Sequence, residues 1–250
     1  MKLAFVLALV TLTFGCRTGS EPVWVNDGPT APGLALGEHG YGFRLDVPDA
    51  DPPEGGWPLL LFLHGAGERG NDLAQVAVHG PLKHLGEFPE LDQLVLLSPQ
   101  CPTGEWWDAE RLMKLVRETQ ATASIDEDRI YVTGLSMGGY GTWNLLSLEP
   151  TFFAAAIPIC GGGDFSARSS TTASKFDLDR LLLAKDVPIR IFHGEKDQVV
   201  LPKESLDLHQ ALAAVDADVE ITLYLGTGHD SWSITYRDRE LYSWLLDQHR

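Results

Sequence analysis

Apolar residues along the chain fall into short continuous runs, and between those runs they recur every three or four positions. The runs at 41–47 (YGFRLDV), 59–64 (LLLFLH), 94–99 (LVLLSP), 129–134 (RIYVTG), 154–160 (AAAIPIC), 188–194 (PIRIFHG) and 219–225 (VEITLYL) have the length and content of β-strands. The stretches 108–124, 137–148, 202–215 and 236–248 carry the helical period, and 177–185 (DLDRLLLAK) carries a shorter one. Strands that are apolar on both faces, alternating with helices, predict an α/β fold with a mostly parallel central sheet and helices on both of its faces. Only about 25 residues separate the fifth strand from the sixth, which leaves little or no room for a lid domain.

The first 35 residues depart from this pattern. Residues 1–15 hold one Lys followed by an apolar stretch too short to span a bilayer, the signature of an export signal. Cys16 follows in LTFGC, positioned like the lipidated cysteine of a bacterial lipobox, although Thr13 and Phe14 depart from that motif. The expectation is a lipid anchor at Cys16 in the cell envelope, with secretion after cleavage elsewhere near Cys16 as the alternative. Residues 16–35 are polar and rich in Gly and Pro, which predicts a flexible tether; residues 36–250 would form one folded domain. Membrane association would then run only through Cys16.

The formal net charge is −16, and loss of Lys2 with the signal makes the mature chain one unit more negative. A chain so acidic, with no basic run, repels nucleic acid and anionic surfaces. Cys101 and Cys160 would be the cysteines left beside Cys16; an oxidising compartment would allow them to pair, but nothing in their spacing says that they meet.

Candidate chemistry begins with YVTGLSMGGYGTW, where Gly134, Ser136 and Gly138 form G-x-S-x-G between an expected strand and an expected helix. A serine on so tight a turn needs small residues two positions to either side. The helix that follows aims its N-terminal amides and positive dipole end at the place where an oxyanion forms. A serine nucleophile needs a base, and in this arrangement the acid and then the histidine follow it along the chain. Of the later histidines, His209 lies inside a helix, His249 is penultimate, and His193 ends a strand but leaves almost no acid candidate between a following strand and itself. His229, in the Gly-bracketed loop YLGTGHDSW past the last strand, is the candidate base. Asp197 in the tight turn GEKD is the favoured acid, with Asp164 and Glu195 as alternatives. Ser136 would attack, His229 would move the proton and Asp197 would hold the ring's tautomer.

Taken together, LHGAGERG, SPQCP, GLSMGGYGTW, PICGGGD, FHGEKDQVV and GTGHDSW resemble the α/β-hydrolase superfamily over residues 36 to 249. The resemblance is nearest to its small secreted esterases, the branch of phospholipase/carboxylesterases, feruloyl-esterase-like enzymes and predicted prolyl-oligopeptidase-type peptidases. It implies Ser136, Asp197 and His229 as a triad, with the backbone N–H groups of Ala66 and Met137 as the oxyanion hole. It implies a serine esterase without metal or cofactor, acting on small or polysaccharide-linked esters through an acyl-enzyme. A peptidase of the same fold and a catalytically silent, carbohydrate-binding envelope protein are the competing functions. Trp106 and Trp107 would stand near the mouth of the site as substrate contacts or as packing, and Trp232 would anchor the His229 loop.

Gly65, Gly67 and Gly70 of LHGAGERG also fit the dinucleotide pattern G-x-G-x-x-G. That reading fails on its own requirements. The next strand ends in Ser98, Pro99 and Gln100 rather than in an acidic residue for a ribose, and Gly80 and Pro81 cut short any crossover helix. The glycines fit a loop whose backbone approaches the substrate; Glu68 and Arg69 would form a solvated pair that orders it, with a substrate-facing role as the alternative. No H-E-x-x-H or C-x-x-C supports metal binding.

Overall fold

A computed structural model describes residues 23–26, 39–164 and 176–250. The expected leader and Cys16 lie outside the described residues. Eight strands form one sheet: β1 (Val23–Asn26), β2 (Gly42–Asp46), β3 (Trp57–Leu63), β4 (Val95–Gln100), β5 (Ile125–Leu135), β6 (Ala155–Ile159), β7 (Ile189–Gly194) and β8 (Val219–Tyr224). Their order is β1-β2-β4-β3-β5-β6-β7-β8, parallel from β4 onward and antiparallel only where β1 meets β2 and β2 meets β4. The helices are α1 (Ala109–Thr122), α2 (Met137–Leu148), α3 (Leu178–Leu181), α4 (Pro202–Ala213), α5 (Trp232–Thr235) and α6 (Arg239–Leu246).

All seven strands expected from the apolar runs are present. The eighth corrects the tether at four residues: Val23–Asn26 pairs with β2, Val23 opposite Leu45 and Asn26 opposite Phe43. The run Val-Trp-Val favours extended backbone, and β2 offers it an open edge. The rest of 16–35 lies outside the described residues.

Period-two alternation splits the core between the two faces of the sheet. On β3, Leu59, Leu61 and Leu63 join one cluster with Trp107, Leu112 and Val116 of the α1 region, Trp143 of α2 and Leu208 and Leu212 of α4. Leu60 and Phe62 join the other with Leu96, Tyr131, Ile157, Tyr236, Tyr242 and Leu245. The helix α1 buries Leu112, Leu115, Val116 and Thr119, one face at helical spacing, and Asp108 caps it by accepting the Arg111 N–H. The helix α2 is buried almost along its length, as befits an element lying across the middle of the sheet. Between β3 and β4 the chain makes four short 3-10 turns rather than a crossover helix, and Gly80 and Pro81 begin the third of them.

The strand order places the site. From β3 the chain passes to β4 on one side, then crosses back to β5 on the other, so connections leave the carboxyl ends of β3 and β5 in opposite directions. A crevice opens at such a switch point. The loop after β3 carries Ala66 and the turn after β5 carries Ser136.

Candidate active site

Leu135 ends β5 and Met137 begins α2, so Ser136 alone turns the chain. Its φ of 51° and ψ of −113° hold a non-glycine residue in strained backbone. The surroundings over-determine that conformation. Ser136 N–H donates to the Ile159 carbonyl of β6 at 2.9 Å, and Tyr140 N–H donates to the Ser136 carbonyl at 3.1 Å. A Cβ on Gly138 would lie 1.9 Å from the Leu63 carbonyl oxygen, and one on Gly134 would lie 2.3 Å from that of Gly138. The small residues that the motif demands are therefore set by backbone meeting backbone.

Three loops bring the polar side chains together. His229 Nε2 stands 2.9 Å from Ser136 Oγ, and His229 Nδ1 stands 2.6 Å from Asp197 Oδ2. Asp197 is only 2 % exposed. Its Oδ1 accepts the backbone N–H groups of Val199 at 2.8 Å and Val200 at 3.1 Å, so the turn after β7 solvates the carboxylate in place of water. The Asp197 and His229 loops are tied directly: Lys196 N–H donates to the Thr227 carbonyl, and the Glu195 carboxylate accepts the Gly226 N–H at 2.9 Å. Glu195, one of the alternative acids, thus fastens the histidine loop, and Asp164, the other, is exposed beyond the Gly161–Gly163 run. Trp232 packs edge-on against His229 at 5.2 Å and against the second core cluster, the anchoring role expected of it.

The loop after β3 is built around His64, which sequence reasoning alone does not single out. Its Nδ1 is 2.6 Å from the Gly65 carbonyl, its Nε2 accepts the Cys101 N–H at 3.0 Å, and its own carbonyl accepts Trp107 Nε1–H at 3.1 Å. These partners define the tautomer: Nδ1 carries the proton and Nε2 the lone pair. Burial holds the ring's pKa down to about 4. Glu68 accepts the Gly65 N–H at 3.0 Å, and Arg69 donates to the carbonyls of Ala66 and Glu105. Both charged side chains order the loop, as expected. Ala66 is exposed at its tip, and Met137 stands at the first position of α2, where backbone N–H groups lack intrahelical acceptors. Neither N–H donates to another described backbone group outside the helices and strands.

One expected substrate contact is corrected. Trp107 is 2 % exposed and lies in the core against Tyr41 and His64, its indole N–H spent on the His64 carbonyl. In this stretch one of two adjacent indoles turns inward. Trp106 stays partly exposed, edge-on to Tyr140 at 5.9 Å and packed beside Val200 of the acid's turn. Cys101 and Cys160 are both buried free thiols, one in each core cluster. Cys160, Asp197 and His229 offer atoms of metal-ligating type within 4.8 Å of one another. As ligands they are poorly prepared: burial pushes the Cys160 thiol up to about 12, and the other two are bonded to each other.

Residues 107–238, more than half of the chain, match the model of the dienelactone hydrolase family. The chain is 41% identical over 66 residues to poly(3-hydroxyalkanoate) depolymerase C of Paucimonas lemoignei, a match covering 26% of this chain and 16% of that protein. It is 26% identical over 150 residues to the bifunctional acetylxylan esterase/xylanase XynS20E of Neocallimastix patriciarum, covering 57% of this chain and 20% of that one. Among solved structures, a thermostable esterase superposes with a TM-score of 0.67 at 35% identity, over 83% of this chain and 59% of that one. The chain thus spans less than two thirds of each of these relatives.

The His64 environment has a measurable consequence. The ring's folded pKa of about 4 lies below the ordinary value of 6.5, so its neutral form contributes stability that is fully present above about pH 6.5. That stability, about 3 kcal/mol in full, drains away as pH falls from there toward 4. Urea unfolding between pH 6 and 4.5 should give a steep loss in the wild type. In His64→Gln the slope should be shallower by on the order of 1 kcal/mol per pH unit; equal slopes would assign the loss to other groups.

Proposed function

We propose that this chain, which belongs to the dienelactone hydrolase family, hydrolyses carboxylic esters through a serine-bound acyl-enzyme. The observation that carries the reading is the hydrogen-bonded line from Ser136 Oγ through the His229 ring to the buried Asp197 carboxylate. Ser136 Oγ attacks the acyl carbon while His229 Nε2 takes its proton. Asp197, bonded to Nδ1, holds the ring in the tautomer that leaves Nε2 free and stabilises the imidazolium that forms. The carbonyl oxygen, now negative, is received by the N–H groups of Ala66 and Met137, the latter at the positive end of α2. Collapse breaks the ester C–O bond, and His229 returns the proton to the departing alcohol. Water then enters by the same route and releases the acid.

The position of Trp106, half-exposed beside the turn that carries Asp197, suits an apolar wall for part of the substrate. The names of two relatives, a poly(3-hydroxyalkanoate) depolymerase and an acetylxylan esterase/xylanase, direct the proposal toward esters within or carried on polymers. Export by residues 1–15 with a lipid anchor at Cys16 would set the enzyme at the cell envelope, where such polymers are met. No helix among the described residues is long and apolar enough to cross a membrane.

A panel of p-nitrophenyl acetate and butyrate, a feruloyl ester and a peptide amide of matched acyl group tests the chemistry. Esters should turn over and the amide should not; the reverse order would make the chain a peptidase. Ser136→Ala should lower kcat by on the order of a million-fold and Asp197→Asn by about ten-thousand-fold. A folded wild type with no turnover and no fluorophosphonate label on Ser136 would revive the silent binding protein. The anchor is tested by expressing the full chain in a bacterium: wild type should partition with membranes and Cys16→Ser with the soluble fraction, and a soluble wild type would leave simple secretion.

A further inference from the structure

A second histidine reaches the carboxylate. His193 stands one residue before the end of β7, its ring wholly buried. Its Nδ1 is 2.7 Å from Ser205 Oγ of α4, and its Nε2 is 2.9 Å from the Val200 carbonyl and 3.2 Å from Asp197 Oδ2. Nε2 therefore faces two acceptors and no donor. A bare nitrogen there would set its lone pair against a carbonyl and a carboxylate, so the proton sits on Nε2, shared between them. Nδ1 then accepts the Ser205 hydroxyl at 2.7 Å, the shorter of the two contacts between which that one hydrogen must choose, the other being to the Gly161 carbonyl at 3.2 Å.

We infer that His193 is a positioning residue for Asp197, locking the Val200 carbonyl and setting its Nε2–H 3.2 Å from the carboxylate that orients His229. The inference rests on the reading of Ser136, His229 and Asp197 as a triad. Asp197 Oδ1 takes the N–H groups of Val199 and Val200 and Oδ2 the His229 ring, while His193 Nε2, hydrogen-bonded to the Val200 carbonyl, stands 3.2 Å from Oδ2 on its other side. Val200 is held from both sides, its N–H by Asp197 and its carbonyl by His193, which locks the turn carrying the acid. Asp197 and His229 are the titratable groups that act on His193; α4 presents the Ser205 hydroxyl and the exit of β6 the Gly161 carbonyl. Burial lowers the pKa of the His193 ring, which keeps it neutral beside His229.

Loss of this donor has two readable effects. The turn loosens, which slows the chemical step. The carboxylate, less compensated, pulls harder on the His229 proton, which moves the acid limb of the kcat/KM profile upward. In His193→Phe, kcat should fall on the order of tenfold, KM should stay within about twofold, and the limb should rise by about half a pH unit. His193→Gln, which returns an N–H near Nε2, should restore most of both. A folded His193→Phe protein whose limb is unmoved or lowered overturns the role. Nitrogen NMR of the wild type locates the proton without any variant: the His193 resonances should report an Nε2–H tautomer near neutral pH, and an Nδ1–H tautomer refutes the arrangement. Fluorophosphonate labelling of wild-type Ser136, run in parallel, separates the two levels. An unlabelled serine removes the triad and this inference with it, whereas a labelled serine beside an unmoved limb removes the role of His193 alone.

Discussion

The site depends on how closely α2 is laid against the end of β3. The backbone of Gly138 runs so near the Leu63 carbonyl that a methyl group has no place between them. That approach sets the Ser136 turn and the Ala66 loop side by side at the switch point of the sheet, where Ser136 takes up its strained backbone. The strain is met by ordinary hydrogen bonds to β6 and within α2, and by burial of nearly the whole helix. A rigid scaffold thus holds an awkward turn, and the awkward turn lifts one hydroxyl into reach of solvent.

Around that hydroxyl the polar groups are treated in opposite ways. The carboxylate of Asp197 is taken out of water and given hydrogen-bond donors instead, so the charge is fixed in place rather than solvated by a mobile shell. His64 is taken out of water and kept neutral, serving as a strut that joins the end of β3 to the end of β4. His229 alone keeps part of its ring exposed, on a loop that the Asp197 turn and Trp232 hold from two sides. His64 and His193 are wholly buried and His229 keeps an edge in solvent, a division set by burial rather than by residue type.

Much of this is legible along the chain because it is local. The strands announce themselves as apolar runs, and Gly134, Ser136 and Gly138 carry their own steric reason. His229 and Asp197 can be reached by elimination, since chain order and loop position exclude most rivals. What escapes depends on partners distant in sequence. Nothing in Trp106-Trp107 says which indole turns inward; that is decided by the His64 carbonyl and the ring of Tyr41, more than forty residues away. Val23–Asn26 is too short to read as a strand without knowing that β2 offers an edge. His193 is poorly placed to be the base, yet what singles it out is the direction of its Nε2, which only the folded turn after β7 fixes.

The two free cysteines bear on how the protein fails. Cys101 and Cys160 sit in different halves of the core, each shielded and held in the unreactive thiol form, with pKa values pushed up to about 12. Among the described residues the fold therefore rests on no disulfide, and an oxidising environment finds neither of these two thiols while the core stays closed. Opening the core releases both sulfurs at once, at ordinary acidity and without a native partner to return to. A crosslink formed in that state, within one chain or between two, has no place in the native core, so the closed fold is what protects both sulfurs.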